Sequence, residues 1–364
     1  MDRSPFFVST RGQLTIYRQK CRRICDILRF YLVVQRYFRI FAAEFATLIA
    51  VLCRTKYKCI MYIHERENWT NFRWDASEVS LLQEKVFRMQ GLLYGRLGSL
   101  GFDSKLRAMA ENLTYDVVYS SEIEGIQLNM DQVRSSIARR LGIDNVKYSA
   151  PSHYIDSVVG VMLEAVQNYN QPLSKEKLCA WQSAFFPSGY SEGSQIEIGQ
   201  YRTNEEHIVC GRFSSAARRG KPMFGREKIH YIAPSPDRVE EEMQKFLTWF
   251  DKDEPVSSVI RSAIAHFWFV SIHPFEDGNG RLARILSDML LARGEKSEFR
   301  FYNVSSQINK DKNHYYDILE RMQHGDGDIT EWLVWYMQKL VDALDEADTI
   351  VTTILNKSFF WQKA

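Results

Sequence analysis

The sequence contains few cysteines, and their positions exclude a disulfide framework. Four of the six lie in the first 60 residues, and only Cys179 and Cys210 lie in the rest of the chain. No second pair follows Cys21 and Cys25 at the spacing of a zinc site. A reducing compartment is therefore expected, and we predict a cytoplasmic protein.

The sequence also lacks an apolar run that is long enough to cross a membrane. The best candidate, residues 40–53 (IFAAEFATLIAVLC), falls short of the roughly 20 residues that a span needs. It lies too far from the N-terminus for a signal peptide. A membrane anchor or a basic segment at a membrane surface is the alternative for residues 1–60. The expectation is instead that they are not part of the functional fold, which begins near Met61.

An excess of basic charge is absent from most of the chain. Residues 1–60 hold 12 Lys and Arg against 3 Asp and Glu, whereas the remaining residues hold 35 against 42. A mildly acidic body gives no support for nucleic-acid binding, and none is predicted.

Helical periodicity dominates after residue 60. In residues 239–250 the apolar side chains recur at i, i+4, i+7, i+8 and i+11, which predicts an amphipathic helix. Further helices are predicted over residues 77–97, 103–121, 130–141, 153–169, 174–185 and 328–355, with one after residue 278 that ends near Gly294. Strand character is confined to HIVC (207–210) and IHYI (229–232), separated by a Gly-, Ser- and Arg-rich loop. The fold class is therefore all-α with one β-hairpin.

The polar segment GIDNVKYSAPS (142–152) suggests a boundary between two helical domains. We expect an N-terminal helical domain over residues 61–145, a catalytic domain over 146–340 and a C-terminal helix or tail over 341–364.

The segment HPFEDGNGRLAR (273–284) concentrates chemically active residues between two apolar helices. Taken alone, a lone histidine would most often be structural, and DGNG would be a plain turn. Together they favour a site for a phosphate. Backbone N–H groups at Gly278, Asn279 and Gly280 would converge on an anion at the start of a helix. Two cations one turn apart, Arg281 and Arg284, can reach the same helix end.

Two side chains of the segment could then act on the bound phosphate. Asp277 is placed to hold Mg²⁺, and His273 to accept a proton from an attacking hydroxyl. The reaction class that uses all these parts is phosphoryl or nucleotidyl transfer.

The segment resembles the signature of the Fic family, H-x-F-x-[D/E]-G-N-G-R-x-x-R, at every fixed position, and the likeness extends from about Trp69 to Trp361. The resemblance implies transfer of AMP from ATP to a side-chain hydroxyl of a target protein. His273 would deprotonate the target, and Asp277 would hold Mg²⁺ on the α- and β-phosphates. Residues 278–280 would form the anion hole, Arg281 and Arg284 would bind the β- and γ-phosphates, and Phe275 would pack beneath the loop.

A second segment, SSEIEG (120–125), resembles the inhibitory motif of the same family, [S/T]-x-x-x-E-[G/N], with Ser120, Glu124 and Gly125 at its fixed positions. By pattern alone, Ser121 and Glu124 would rather form a capping box that starts a helix. Beside a complete Fic signature, the inhibitory interpretation is favoured. Glu124 would then pair with Arg284 and inhibit the enzyme within the same chain.

The resemblance also implies a target surface and a nucleotide pocket. Residues 207–232 resemble the flap hairpin, along which a target protein would dock by strand addition. The basic loop of that hairpin is either a solvent-exposed loop or a surface that prefers acidic segments of the target. Tyr315 and Tyr316 occupy the place of paired tyrosines beside the adenine, with Tyr315 the more typical of a core position, and Gln323 that of an asparagine near the nucleotide. A homodimer is plausible for the family.

Three alternatives remain open at this stage. One is another Fic chemistry: phosphate transfer, or removal of AMP by a water that Glu124 orients. The second is a regulator that binds nucleotide without catalysis, which the retention of His273 and Asp277 disfavours. The third is the membrane-anchored variant.

Overall fold

The computed structural model describes residues 61–98, 101–143, 149–191, 193–209, 229–253 and 255–363, without the side chains of 207–209 and 354–363. Residues 61–364 form one compact unit. The predictions for residues 1–60 and for the basic loop of the hairpin fall outside the described residues. Within them, no helix is both long and apolar enough to cross a membrane.

The described part of the chain is mainly helical, as the sequence predicts. A short 3-10 helix, Ile63–Glu65, comes first. The α-helices are α1 (Ala76–Gly98), α2 (Phe102–Ile123), α3 (Met130–Leu141), α4 (His153–Gln167), α5 (Lys175–Phe185), α6 (Pro236–Asp251), α7 (Ser258–Ile272), α8 (Asn279–Glu295), α9 (Val304–Lys310), α10 (Lys312–Gln323) and α11 (Thr330–Lys363).

Two small antiparallel strand pairs interrupt the helices. The strands β1 (Tyr190–Ser191) and β2 (Ser194–Gln195) form a short hairpin that the sequence did not indicate. The strands β3 (His207–Val209) and β4 (Ile229–Ile232) pair with His207 opposite Ile232. The two apolar segments identified in the sequence are thus confirmed as a strand pair.

The helices α7 and α8 form the centre of the core, and residues 273–278 connect them. Nearly every side chain of both helices is buried, which explains why α7 is apolar on all sides rather than amphipathic. Around them pack α4, α6 and α11, while α2 contacts α3, α4, α8 and α9. A loop between two such helices is therefore held at both ends by buried, closely packed helices.

Candidate functional site

His273 lies at the C-terminal end of α7 in a left-handed backbone conformation. Its φ and ψ are 52° and 60°, and its backbone N–H donates to Phe269 O at 3.0 Å. A proline disfavours the right-handed α region for the residue before it, and at this helix end His273 adopts the left-handed turn. The imidazole Nδ1 lies 3.2 Å from Val270 O. Since a carbonyl only accepts, Nδ1 carries the hydrogen and Nε2 the lone pair.

Asn279 fixes the middle of the connecting loop with its side chain. Its Oδ1 accepts from Phe275 N at 3.0 Å, and its Nδ2 donates to Phe275 O at 2.6 Å. The Phe275 ring is fully buried and packs edge-on against Tyr201, with 5.5 Å between ring centroids. The side-chain amide of Asn279 therefore fixes the conformation of the loop, and only its backbone N–H is left for the predicted anion site.

Asp277 is held by hydrogen bonds to both carboxylate oxygens. Its Oδ1 accepts from Gly278 N at 2.6 Å, and its Oδ2 accepts from the hydroxyl of Ser191. Ser191 lies on β1, 86 positions earlier in the chain. No spacing or motif in the sequence connects these two residues, and the serine was not predicted as part of the site.

The N-terminus of α8 follows Asp277 directly in the chain. Gly278 precedes the helix with φ of 92°, a conformation that favours glycine. The first backbone N–H groups of any helix lack intrahelical acceptors, and the helix dipole makes that end attractive to anions. The predicted anion site thus coincides with a helix N-terminus beside His273 and Asp277.

The side chains of Arg281 and Arg284, both on α8, contact different neighbours. The guanidinium of Arg281 lies 4.6 Å above the ring of Phe185 and 4.8 Å above that of Phe186, and its Nη1 donates to Tyr154 OH at 3.0 Å. Both arginines are almost fully buried. Arg281 is therefore held in place by cation–π contacts rather than by a carboxylate.

Arg284 binds the end of α2. Its Nε donates to Ser120 Oγ at 2.9 Å, and its Nη2 donates to Ser120 O at 2.8 Å and to Glu124 Oε1 at 2.6 Å. Side-chain exposure is 2% for Arg284 and 11% for Glu124, so water screens this ion pair little. Burial alone would lower the pKa of Arg284, but the Glu124 carboxylate raises it above its ordinary value. Nη1 has no hydrogen-bond partner among the described residues.

The segment 120–125 ends a helix instead of starting one, so the capping-box interpretation of Ser121 and Glu124 is wrong. Ser121 Oγ donates to Val117 O within α2 at 2.8 Å. Gly125 N donates to Glu122 O at 2.9 Å, and Ile126 N to Ser121 O at 3.0 Å, with Gly125 at φ 79°. This pattern is a Schellman motif, which requires glycine at its left-handed position. The glycine stops α2 where Glu124 faces Arg284.

Gly280 leaves room for the Glu124 carboxylate. A Cβ added to Gly280 would overlap Glu124 Oε1 and would lie 3.3 Å from Arg284 Nη1. The carboxylate therefore stands against the first turn of α8, where the helix would otherwise receive an anion.

The contact between Gly280 and Glu124 predicts energetic coupling. Gly280→Ala should lower the free energy of unfolding more in the wild type than in a Glu124→Gly background, because the clash needs both side chains. The coupling expected between contacting residues is about 0.5–3 kcal/mol. Urea denaturation of the four proteins measures it, and additive effects within about 0.3 kcal/mol would contradict the contact.

Of the three residues predicted near the nucleotide base, Tyr316 binds the end of α2 beside Glu124. Its hydroxyl donates to Ile123 O at 3.3 Å, and burial together with the Glu124 carboxylate raises its pKa well above the ordinary value. Tyr315 is buried in the core, with its hydroxyl 2.9 Å from His266 Nε2. Gln323 is also buried and donates to Ser271 Oγ on α7 at 3.3 Å. In this structure, the last two side chains bind inner residues of α7.

A second polar contact joins α2 and α8 one turn further from the site. Asp116 and Asp288 are both buried, and each carboxyl influences the pKa of the other. Arg300 Nη2 lies 3.0 Å from Asp288 Oδ1. Burial raises the pKa of both carboxyls, although Arg300 opposes it. We therefore expect the pair to share one proton, since two ionised carboxylates would repel each other in this buried position.

This raised pKa makes the pair's contribution to stability depend on pH. The folded pair keeps a proton that the unfolded chain releases above pH of about 4, so its contribution is lost as pH rises through the folded pKa. Asp116→Asn should therefore flatten the decline in unfolding free energy between acidic and alkaline pH. Urea denaturation at pH 5 and pH 8 tests this, with the exposed Asp345→Asn as control. An unchanged slope in Asp116→Asn would contradict the shared proton.

No group of three or more His, Cys, Asp or Glu side chains suited to a metal occurs among the described residues. A magnesium ion bound chiefly by phosphates and water needs only one or two protein carboxylates. Asp277 fits that requirement, because both its oxygens lie at the α8 N-terminus, and a carboxylate oxygen can accept more than one ligand.

These features define an all-α domain in which a central loop presents a histidine, a carboxylate and a helix N-terminus to an anion. The comparisons with known proteins supply its family. Residues 172–291 match the Fic/DOC family, and residues 62–143 match a domain of unknown function, DUF4172. The chain therefore carries a Fic/DOC domain.

The similar proteins carry the same family name. A relative from Nematostella vectensis, named protein adenylyltransferase Fic, is 26% identical over 60% of this chain and 45% of its own length. A Fic family protein from Desulfovibrio desulfuricans has a TM-score of 0.55 at 22% identity, over 75% of this chain and 74% of that one. A Fic domain containing signaling protein from Bacteroides thetaiotaomicron has a TM-score of 0.51 at 18% identity, over 76% and 97%. The solved structures show a shared fold, and the chain spans less than half the length of the curated relative.

Proposed function

We propose that the protein transfers AMP from ATP to a Ser, Thr or Tyr hydroxyl of a target protein, and that Glu124 holds this activity low. The observation that carries the proposal is the carboxylate of Glu124 against the α8 N-terminus, bonded to Arg284, within a complete Fic signature. The names of the relatives support AMP transfer as the reaction class.

His273 is the base of the proposed reaction. With its hydrogen on Nδ1, facing Val270 O, the Nε2 lone pair accepts the proton of the attacking hydroxyl. The hydroxyl oxygen forms a bond to the α-phosphorus, the bond from that phosphorus to the bridging oxygen breaks, and pyrophosphate leaves. The loop geometry set by Asn279 fixes where this base stands.

The α8 N-terminus and its arginines bind the phosphates. Backbone N–H groups of residues 278–280 would donate to phosphate oxygens, that of Gly278 after leaving Asp277 Oδ1. The unpartnered Nη1 of Arg284 is the group that a phosphate would occupy. Asp277, with Ser191 orienting its carboxylate, would hold Mg²⁺. That ion would neutralise charge on the phosphates. Tyr316 borders the nucleotide on the side of Glu124.

Glu124 inhibits by occupying the place of an anion. Its carboxylate accepts a hydrogen bond from Nη2 of Arg284 and fills the space in front of Gly280. A triphosphate therefore cannot occupy that space and bind Nη2 while Glu124 is in place. Productive alignment of the α-phosphate then requires Glu124 to move. Since the motif and the site are in one chain, the inhibition is intramolecular.

The target would dock along the strand pair β3 and β4. Short edge strands accept an extended segment through main-chain hydrogen bonds. We place the acceptor hydroxyl near this hairpin.

Intact-mass spectrometry of Glu124→Gly incubated with ATP and Mg²⁺ tests the proposal. We expect added AMP on the protein itself or on a lysate protein, more than with the wild type. A mass increase equal to one phosphate would instead indicate a phosphotransferase. An unmodified protein and lysate would contradict AMP transfer.

A further inference from the structure

The side chain of Arg202 is buried beneath the loop that carries His273. It is 2% exposed and lies between β2 and β3. The four hydrogen bonds of its guanidinium all go to backbone carbonyls: His273 O at 2.7 Å, Asn204 O at 2.9 Å, Pro234 O at 2.5 Å and Ile272 O at 3.5 Å. A buried cation that binds only peptide oxygens arranges backbone rather than neutralising an acid.

Two of these carbonyls belong to the end of α7. The last carbonyls of a helix have no intrahelical donor, so Ile272 and His273 need partners from elsewhere. The backbone of Arg202 adds one more bond, because its N–H donates to Pro274 O at 2.9 Å. Arg202 therefore binds three consecutive backbone carbonyls, those of Ile272, His273 and Pro274.

The backbone of His273 is in a left-handed conformation that non-glycine residues adopt uncommonly. Its φ is 52°, and the following residue is proline. Asn279 holds the loop from the far side through Phe275, as described above. On the near side, Arg202 supplies the bonds that oppose relaxation toward an extended backbone.

We propose that Arg202 is a positioning residue that holds His273 at the angle required for proton transfer. The inference rests on the proposed function for its kinetic consequence, while the placement of the loop can be checked without any reaction. Arg202 does not reach the anion site through any of these bonds, so nucleotide binding by α8 does not depend on it. Loss of the Arg202 side chain should move the imidazole of His273 and leave the phosphate-binding groups of α8 in place.

The chain offers a matched control in Arg293, at the far end of α8. This partly buried arginine also binds backbone carbonyls, namely Tyr169 O at 2.6 Å, Phe250 O at 2.9 Å and Gln171 O at 2.9 Å. Unlike Arg202, it also pairs with Asp251 Oδ1 at 2.8 Å. Arg293→Gln removes a similar anchoring arginine without touching the loop at residues 273–278. It therefore measures what general destabilisation does to the reaction.

The experiment compares Arg202→Gln and Arg293→Gln in the Glu124→Gly background. For Arg202→Gln we expect kcat to fall about 100-fold, the cost of misplacing a reacting group by about 1 Å. The dissociation constant for ADP should stay within about 2-fold, a change worth less than 1 kcal/mol. Arg293→Gln should lower the melting temperature and keep kcat. Arg202→Lys, which has too few donors for all four carbonyls, should not restore kcat.

Several outcomes would overturn the proposal. These are an unchanged kcat in Arg202→Gln, a parallel loss of ADP affinity, or an equal loss of kcat in Arg293→Gln. If the Glu124→Gly parent transfers no AMP, the proposed function fails, and a crystal structure of Arg202→Gln still decides the positioning role. We expect residue 273 to leave the left-handed region in that structure; an unmoved loop would contradict the role.

Discussion

Replacing Glu124 with glycine is expected to raise the rate of AMP transfer by about 10- to 100-fold, which corresponds to roughly 1.4–2.7 kcal/mol. The substitution removes the carboxylate from the α8 N-terminus and releases Nη2 of Arg284, whereas both bonds to Ser120 remain. Glycine is compatible with position 124, because this residue follows the last residue of α2 and precedes the left-handed Gly125. Transfer of label from ATP to protein, followed over time, measures the effect.

Two controls separate the role of the Glu124 carboxylate from a general loosening of α2. Glu124→Gln keeps the size of the side chain and removes its charge, so it should activate partly. Glu122→Gly alters an exposed glutamate two positions earlier, whose carboxylate accepts from Asn309 and does not contact Arg284. Activation by Glu122→Gly equal to that by Glu124→Gly would show that helix fraying, and not the ion pair, limits the reaction.

The stability of Glu124→Gly should change with nucleotide. Removing one partner of a buried ion pair typically costs about 3–5 kcal/mol, because the other charge stays buried. Bonds to Ser120 reduce that cost here. A nucleotide that binds Arg284 should restore part of the lost stability, and should therefore raise the melting temperature of this variant more than that of the wild type.

Replacing His273 with alanine is expected to abolish transfer in the Glu124→Gly background, with a loss of about 10²- to 10⁴-fold. The general base is removed, while the α8 N-terminus and both arginines are left unchanged. ADP affinity should therefore be close to that of the parent. Label transfer and calorimetric titration on the same preparation measure the two quantities.

His153→Ala is the matched control, since this exposed histidine starts α4 and makes no contact with the loop at residues 273–278. It should keep the parent's rate. A His273→Ala variant that transfers label as fast as the parent would exclude His273 as the base, even if AMP transfer itself were established.

Residues 273–284 and the helices could be predicted from the sequence because their signals are local. The motif places His273, Asp277 and the glycines within a few residues of one another, so the geometry of one loop and one helix start suffices. Most predicted helix boundaries agreed within a few residues for the same reason: apolar periodicity and terminal residues are local properties. The end of α11 was wrong, because the helix continues to Lys363 rather than to residue 355, and α9 and α10 were not predicted. The helix α3 was predicted with both ends correct.

The pairing of Glu124 with Arg284 was predicted only through the resemblance to a family motif. Other contacts that fix the site's geometry could not be predicted, because they join distant parts of the chain and belong to no motif. Arg202 and Ser191 meet the loop across 71 and 86 positions, and neither belongs to a recognisable pattern. The acid pair of Asp116 and Asp288 depends on which faces of α2 and α8 meet. No property of either helix alone specifies that a carboxylate on one will contact a carboxylate on the other.

The SSEIEG segment shows how a local pattern can indicate the wrong structure. Ser121 and Glu124 have the spacing of a capping box, and only the position of Gly125 distinguishes a helix end from a helix start. In the structure, the Schellman hydrogen bonds at Gly125 decide the matter. The local pattern had therefore suggested the opposite end of the helix.

The most direct test of the account compares ATP labelled at the α-phosphate with ATP labelled at the γ-phosphate. Three purified proteins are needed: the wild type, Glu124→Gly, and Glu124→Gly with His273→Ala. The account predicts protein-bound label only from the α-position, strong in Glu124→Gly, weak in the wild type and lost in the double variant. Label from the γ-position, or equal α-label in the wild type and Glu124→Gly, would contradict an adenylyl-transfer site that Glu124 holds inactive.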